Sequence, residues 1–367
     1  MVINAFGKTE HGERGWWGMA KYAIFAAATE NYLPYINAQL NSIEKRKLYE
    51  KCDLTYYLMH HDNFNRKYLQ DVESGFSFNV VPVEIMRGDI NLPNTTKRIE
   101  YIKRCRYKKM VPLAMECDVA CFLDGDMFCV SDQFINLFDL VNKSYYMIGC
   151  NEKYKWDVGN SYFYNHTKNP LLDKPTKLMQ FICNTPAIFD MKKWQEVFEA
   201  YEDIAINGRQ YKNGNPDNIM GIGDIMCWNI AIQQQNRNND IITFPMETMA
   251  QVHYTNMRQW TCPVVEKDYW RSMSGDRIYI IHGRVASWSE EGFMKKHINL
   301  ETDEGDAEKM QNKYKTIKAL KPSLTKIESN IKKGLVAIQK EWYDLNFNHS
   351  IKLSNYTDIQ PEWENFK

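Results

Sequence analysis

Residues Cys121 to Val130 read CFLDGDMFCV, an apolar run interrupted by Asp124-Gly125-Asp126 and resumed after it. An apolar run bounded by a polar turn predicts a buried β-strand. Side chains alternate along a strand, which puts Asp124 and Asp126 on one side with Gly125 between them. Two carboxylates held close repel each other unless a cation joins them. Oxygen ligands suit a hard divalent ion, Mg2+ or Mn2+, whose remaining positions go to water and substrate phosphates. Asp-Gly is also an ordinary turn dipeptide, so the triplet alone does not make a metal site. Its place at the end of a long apolar run adds weight, because open α/β sheets bind ligands at the carboxyl ends of their strands.

Outward from this strand the chain alternates. Residues 22 to 28, YAIFAAA, predict a first strand, broken by Thr29 to Tyr32. A helix is expected over Pro34 to Ser42, where Leu33, Ile36, Leu40 and Ile43 recur at helical spacing and Pro34 stands near the start. Asp53 to Met59 and Phe76 to Ile85 predict two more strands. Thr96 to Met115 predicts a long basic helix that Pro112 kinks or ends. Strands alternating with helices imply a mostly parallel, doubly wound sheet.

Downstream, Asn151 to Asn169 is aromatic and polar without a period. It reads either as a surface loop or as a loop whose aromatic rings stack an acceptor. Gln180 to Trp194 predicts a short strand, a break at Asn184-Thr185-Pro186, a second apolar run and a helix start. Asp224 falls at a helix N-terminus, where a cap is the plain reading. Residues 277 to 288 form an apolar strand ending at His282-Gly283. His282 is either a structural residue or, if it meets Asp124 and Asp126 in space, a third metal ligand that favours Mn2+.

The 367 residues fit one large domain with extensions, divided as a lead-in over 1–21, a main domain over 22–300 and a helical extension over 301–367. Lys plus Arg and Asp plus Glu each number 46, which gives no global electrostatic case for nucleic acid. Nine scattered cysteines without a C-x-x-C pair point to buried reduced thiols in a cytosolic protein. The N-terminal residues lack an apolar signal core, and no apolar run reaches the roughly 20 residues of a membrane span. After an acidic stretch over Glu301 to Glu308, Ile327, Ile331, Leu335, Ile338 and Trp342 mark a helical stripe in a Lys-rich segment. It reads as a helix packed on the main domain, with weak contact to a membrane surface as the alternative. Ser354 to Lys367 reads as loosely ordered.

Four stretches in order carry a family resemblance: FAAATENY at 25–32, CDVACFLDGDMF at 117–128, ICNTPAIFDMKKW at 182–194 and IIHGRVASW at 280–288, with GDIMCWN at 223–229 as a weaker fifth. The chain resembles the retaining, GT-A-fold, nucleotide-sugar glycosyltransferases typified by lipooligosaccharide galactosyltransferases and glycogenin. The resemblance implies that Asp124, Asp126 and His282 hold Mn2+ or Mg2+ against the donor diphosphate, and that Asp124 and Gly125 also bind the nucleotide-sugar. It also implies that Ala27, Thr29 and Asn31 cradle the nucleoside and that Gly283 opens a phosphate-closing loop. Arg106 matches a basic donor-binding residue, with Lys108 and Lys109 as rivals. Asn184 matches a residue touching the donor sugar, and Asp224 a carboxylate beside the reacting carbon.

The chain departs from that family in two places. Thr185-Pro186 follows Asn184 where the family has a small residue and Gly. Ala286-Ser287-Trp288 replaces the family's Lys-Pro-Trp, which leaves Arg284 as the candidate phosphate partner. The implied activity is transfer of a sugar from a nucleotide diphosphate to an acceptor hydroxyl on a glycan, a protein or a small molecule. A hydroxylated DNA base is the alternative acceptor. Nucleotidyltransferase and phosphohydrolase chemistry on a similar sheet are the rival reactions.

Overall fold

The computed structural model describes residues 19–61, 63–85, 98–151, 182–207, 224–245, 249–251, 264–266, 269–271, 275, 277–283 and 321–357. In the first half β1 (Lys21–Ala28), α1 (Leu33–Lys45), β2 (Asp53–His61), β3 (Asn79–Ile85), α3 (Arg98–Ala114) and β4 (Val119–Asp124) follow the expected alternation, while α2 (Arg66–Ser74), between β2 and β3, is not among the helices expected from the sequence. There follow β5 (Met127–Cys129), α4 (Asn136–Asn142), β6 (Met147–Asn151), β7 (Ile182–Phe189), α5 (Met191–Glu202), α6 (Asp224–Gln234) and β8 (Ile241–Pro245). Short strands β9 (Met249–Gln251), β10 (Val264–Glu266), β11 (Tyr269–Arg271) and β12 (Ile280–His282) precede the long helix α7 (Lys321–Phe347).

Seven strands form the main sheet in the order β3-β2-β1-β4-β7-β6-β8. Strands β1 to β4 are parallel, β7 runs against both β4 and β6, and β6 and β8 are parallel. The mostly parallel α/β reading is therefore correct, with β7 reversed. Successive residues of β1 and β4 enter opposite cores. Phe25 and Phe122 meet α3, α5 and α6 on one face, while Ile24 and Cys121 meet α1, α2 and α4 on the other. Helices on both faces explain why the central strands are nearly continuous apolar runs.

Three local expectations change. The third strand begins at Asn79, and Phe76 and Phe78 stack on each other before it. The expected break at Asn184-Thr185-Pro186 is a bulge within one strand, β7, rather than a gap between two. The four residues Ser354 to Thr357 are not loose: the Tyr356 hydroxyl donates to Asp71 Oδ2 at 2.7 Å, and its ring meets Tyr68 edge-on. That tyrosine has a half-buried ring and a satisfied hydroxyl, which anchors this part of the chain. Residues 358–367 lie outside the described residues.

Helix α7 docks on α1. Of its predicted apolar stripe, Ile338 and Trp342 are buried; the side chains of Ile327, Ile331 and Leu335 lie outside the described residues. Lys45 bonds Glu341 and Asp344 at 2.9 Å each, and Arg46 bonds Glu341 at 2.8 Å. Asn37 donates to Asn346 Oδ1 at 3.0 Å, and both Asn37 and Asn41 donate to the Ile351 carbonyl. Among the described residues no helix is long and apolar enough to cross a membrane. The seven cysteines whose side chains are described are buried and form no disulfide, and burial pushes the Cys117 thiol up to about 11 and that of Cys129 to about 12.

The α7 contact carries a pH dependence. Burial by itself would raise the Asp344 carboxyl, but bonds from Lys45, Asn348 and His349 outweigh it and hold the group down at about 2. A carboxylate depressed in the folded state contributes stability above its unfolded value of 3.8 and loses it as pH falls toward 2. Docking of α7 should weaken across that window. In acid unfolding followed by circular dichroism, Asp344→Asn should flatten this part of the curve.

Candidate active site

Strand β4 is buried from Val119 to Leu123 and first shows a polar side chain to solvent at Asp124. It lies between β1 and β7, and Asp124 pairs with Ala27 across the parallel β1 ladder. Here the chain leaves the main sheet, turns through Gly125-Asp126 and enters a second, three-stranded sheet as β5. In that sheet β12 lies antiparallel to β5 with His282 opposite Met127. Gly283 then donates its N–H to the Asp126 carbonyl at 2.9 Å. The imidazole is thus delivered to the carboxylates by a strand pairing between residues far apart in the chain.

His282 Nε2 stands 3.4 Å from Asp126 Oδ1 and 3.7 Å from Asp124 Oδ2. One ligand atom from each of the three lies within 4.8 Å of the others. Neighbouring ligands of an octahedral ion with bonds of about 2.1 Å lie about 3 Å apart, and opposite ones about 4 Å apart. Two carboxylate oxygens and one imidazole nitrogen at these separations fit a divalent cation such as Mn2+. Among the described residues this is the one cluster of three such side chains. The convergence does not come from strand alternation as expected. The strand ends at Asp124, and it is the turn that folds Asp126 back toward the same point. The carboxylates are consequently unequal: the Asp124 side chain is 33% exposed, that of Asp126 only 5%. Asp124 is the more accessible of the two to a ligand from solvent.

Among the described residues, Arg106 is the arginine or lysine that stands beside the carboxylates. It is 3% exposed, its Nη1 stands 3.7 Å from Asp124 Oδ1, and its guanidinium lies 3.9 Å above the Phe122 ring. Lys109 is half-buried one helical turn further along α3, and Lys108 is exposed. Thr29 is half-buried and Asn31 exposed in the short turn after β1, where Tyr32 N–H bonds the Thr29 carbonyl at 2.8 Å. Gly125 sits so close to β1 that a Cβ there would stand 3.1 Å from the Ala27 carbonyl oxygen and 3.2 Å from the Tyr32 ring. Gly283 adopts φ 146°, a conformation that favours glycine. Asn184 lies on β7 and Asp224 is the first residue of α6, but their side chains lie outside the described residues. So do Arg284 and residues 152–169 of the aromatic loop.

Two residues that the sequence does not mark as site residues, Gln39 and Thr185, hold the turn itself. Gln39, on α1, donates through Nε2 to the Asp124 carbonyl at 3.0 Å and to the Met127 carbonyl at 2.8 Å. Thr185, on β7, accepts the Asp124 N–H on Oγ1 at 2.9 Å. The one sequence signal for Gln39 is the cluster of polar residues Asn37, Gln39, Asn41 and Ser42 within an apolar helix.

No model of a known protein family matches the chain, and no curated protein matches it in sequence. Solved structures do match. The galactosyltransferase LgtC, in complex with donor and acceptor sugar analogs, is 12% identical with a TM-score of 0.46, over 77% of this chain and 98% of that one. Mouse xyloside xylosyltransferase 1 is 11% identical with a TM-score of 0.42, over 72% and 98%. The mannosyltransferase Ktr4p from S. cerevisiae is 14% identical with a TM-score of 0.40, over 61% and 68%. In structure, this chain is similar to glycosyltransferases.

Proposed function

We propose that the protein is a metal-dependent glycosyltransferase. It moves a sugar from a nucleotide-diphosphate donor, foremost a UDP-sugar, to an acceptor hydroxyl with retention of configuration. The observation that carries this reading is the meeting of Asp124, Asp126 and His282 at the carboxyl end of β4, with Arg106 beside them. A divalent ion held there would neutralise the charge that grows on the diphosphate as the glycosidic bond breaks.

The residues divide the remaining work. Asp124, the more accessible carboxylate, meets the incoming diphosphate, while buried Asp126 and His282 form the fixed wall of the site. Arg106 offsets the negative charge of the carboxylates before a donor is bound, and its guanidinium can turn to a phosphate oxygen. Ala27, Thr29 and Asn31 line the nucleoside side, next to the metal turn. Asn184 contacts the donor sugar, and Asp224 stabilises the oxocarbenium-like transition state. Zero net charge supplies no long-range attraction for nucleic acid, which favours a glycan, protein or small-molecule acceptor.

The test is incubation with a panel of UDP- and GDP-sugars, with and without Mn2+, following release of free nucleotide by chromatography. Slow hydrolysis of one donor that needs the metal is expected. No release from any donor, together with no heat on titrating UDP and Mn2+, would overturn the reading.

A further inference from the structure

The metal turn is gripped from two sides by side chains that are not themselves ligands. On one side stands α1, whose Gln39, though polar, is wholly buried. Its Nε2 bonds both carbonyls that bracket the turn, those of Asp124 and Met127. An amide can do this in one orientation only, because both partners are acceptors. The orientation is locked from behind, since the buried Tyr56 hydroxyl donates to Gln39 Oε1. One helical turn later Ser42 accepts the Cys129 N–H at 2.9 Å and donates to the Gln39 carbonyl. Polar groups on α1 thus run along the backbone from the end of β4 to the end of β5.

On the other side stands β7. Its antiparallel ladder with β4 pairs Ala120 with Phe189, Cys121 with Ile188 and Phe122 with Ala187, and stops there. Continued, it would place Pro186 opposite Leu123 and Thr185 opposite Asp124. Pro186 has no N–H to continue it. The pairing of β7 with β6 also slips here, from Gly149 opposite Ala187 to Cys150 opposite Cys183, so residues 184–186 bulge. Bulges re-aim side chains beside functional sites. This one turns the Thr185 hydroxyl onto the Asp124 N–H at 2.9 Å, while that hydroxyl donates to Met127 Sδ at 3.4 Å.

We propose that Gln39 and Thr185 are positioning residues. Acting through the backbone of residues 124–127, they set the separation of the two carboxylates and so the affinity for the divalent ion. The inference rests on the metal-site reading above. It also gives the Thr185-Pro186 dipeptide a role: the proline ends the ladder and the hydroxyl takes over its last bond.

The test is a Mn2+ titration of the full chain with UDP present, read from the loss of the free-ion electron paramagnetic resonance signal. Outer-shell hydrogen bonds to metal ligands typically change affinity about 10- to 100-fold. Gln39→Met and Thr185→Val should each weaken Mn2+ binding by about that factor, whereas Thr185→Ser should restore it. Tyr68→Phe serves as the control for lost stability. It removes a buried hydroxyl bonded to Asn37 on the same helix and should leave the Mn2+ affinity unchanged. Unchanged affinity in folded Gln39→Met and Thr185→Val would overturn the proposal, as would equal weakening in Tyr68→Phe. If a variant fails to fold, Tyr56→Phe, which frees the amide without emptying its place, decides the Gln39 side. Thr185→Ser against Thr185→Ala decides the Thr185 side. A wild-type chain that binds no Mn2+ would instead count against the metal site itself.

Discussion

Asp126→Asn should remove metal-dependent donor turnover while leaving the fold in place. The substitution keeps the size of the side chain and the backbone bond from Gly283 to the residue 126 carbonyl. What it removes is one of two anionic ligands, and the buried one. Losing a preorganised electrostatic group at a reacting centre costs about 100- to 1,000-fold in rate, and the loss of metal adds to that. The stability effects have opposite signs with and without the ion. Without metal, Asp124 and Asp126 repel each other, so removing one charge should not lower the melting temperature. With metal, the wild-type chain gains about 2.7 kcal/mol at a hundred times the dissociation constant. The variant should lose that gain. Scanning calorimetry of both chains with and without Mn2+ reads both effects. A variant that still turns over donor at saturating Mn2+ would remove Asp126 from the site.

Trp342→Ala should cost about 3–5 kcal/mol of unfolding free energy, the usual range for emptying a buried tryptophan position. Trp342 is 1% exposed, on the part of α7 that faces α1, and its ring lies 6.3 Å from that of Tyr35. The ion pairs around it differ in exposure: Lys45–Asp344 is 24% and 36% exposed, Arg46–Glu341 only 12% on each side, and a pair open to solvent contributes less than a sheltered one. The apolar contact at Trp342 and the ion pairs from Lys45 and Arg46 together hold the helix on α1. Urea denaturation measures the loss directly. A cost under about 1 kcal/mol would mean that α7 is an independent appendage rather than part of the α1 face of the domain.

The division between what could be read from sequence and what could not follows from where each residue's partners lie. Strand β4 was legible because its residues answer to a local rule: apolar until the sheet ends, then carboxylates. The strand ending at His282 was legible for the same reason, although sequence could not say that it would pair with β5. Arg106 could be placed on a helix but not singled out from Lys108 and Lys109, since only its approach to Asp124 across the core distinguishes it. Gln39 and Tyr56 gave the least signal. A glutamine among apolar residues on a helix reads as solvated until its partners, 85 and 88 residues away, are known. Thr185 stood out only as a departure from a resemblance, and its use depends on a ladder that ends two residues early. Tyr356 reads as tail for a similar reason, because the acceptor it needs, Asp71, is 285 residues distant.

The most direct measurement is pulsed electron paramagnetic resonance of the full chain with one equivalent of Mn2+ and UDP. The expected spectrum contains a nitrogen coupling from one imidazole, which disappears in His282→Ala, and a phosphorus coupling from the diphosphate, which disappears when uridine replaces UDP. Bound Mn2+ with neither coupling, or a nitrogen coupling that survives in His282→Ala, would contradict a metal held by Asp124, Asp126 and His282 against a nucleotide diphosphate.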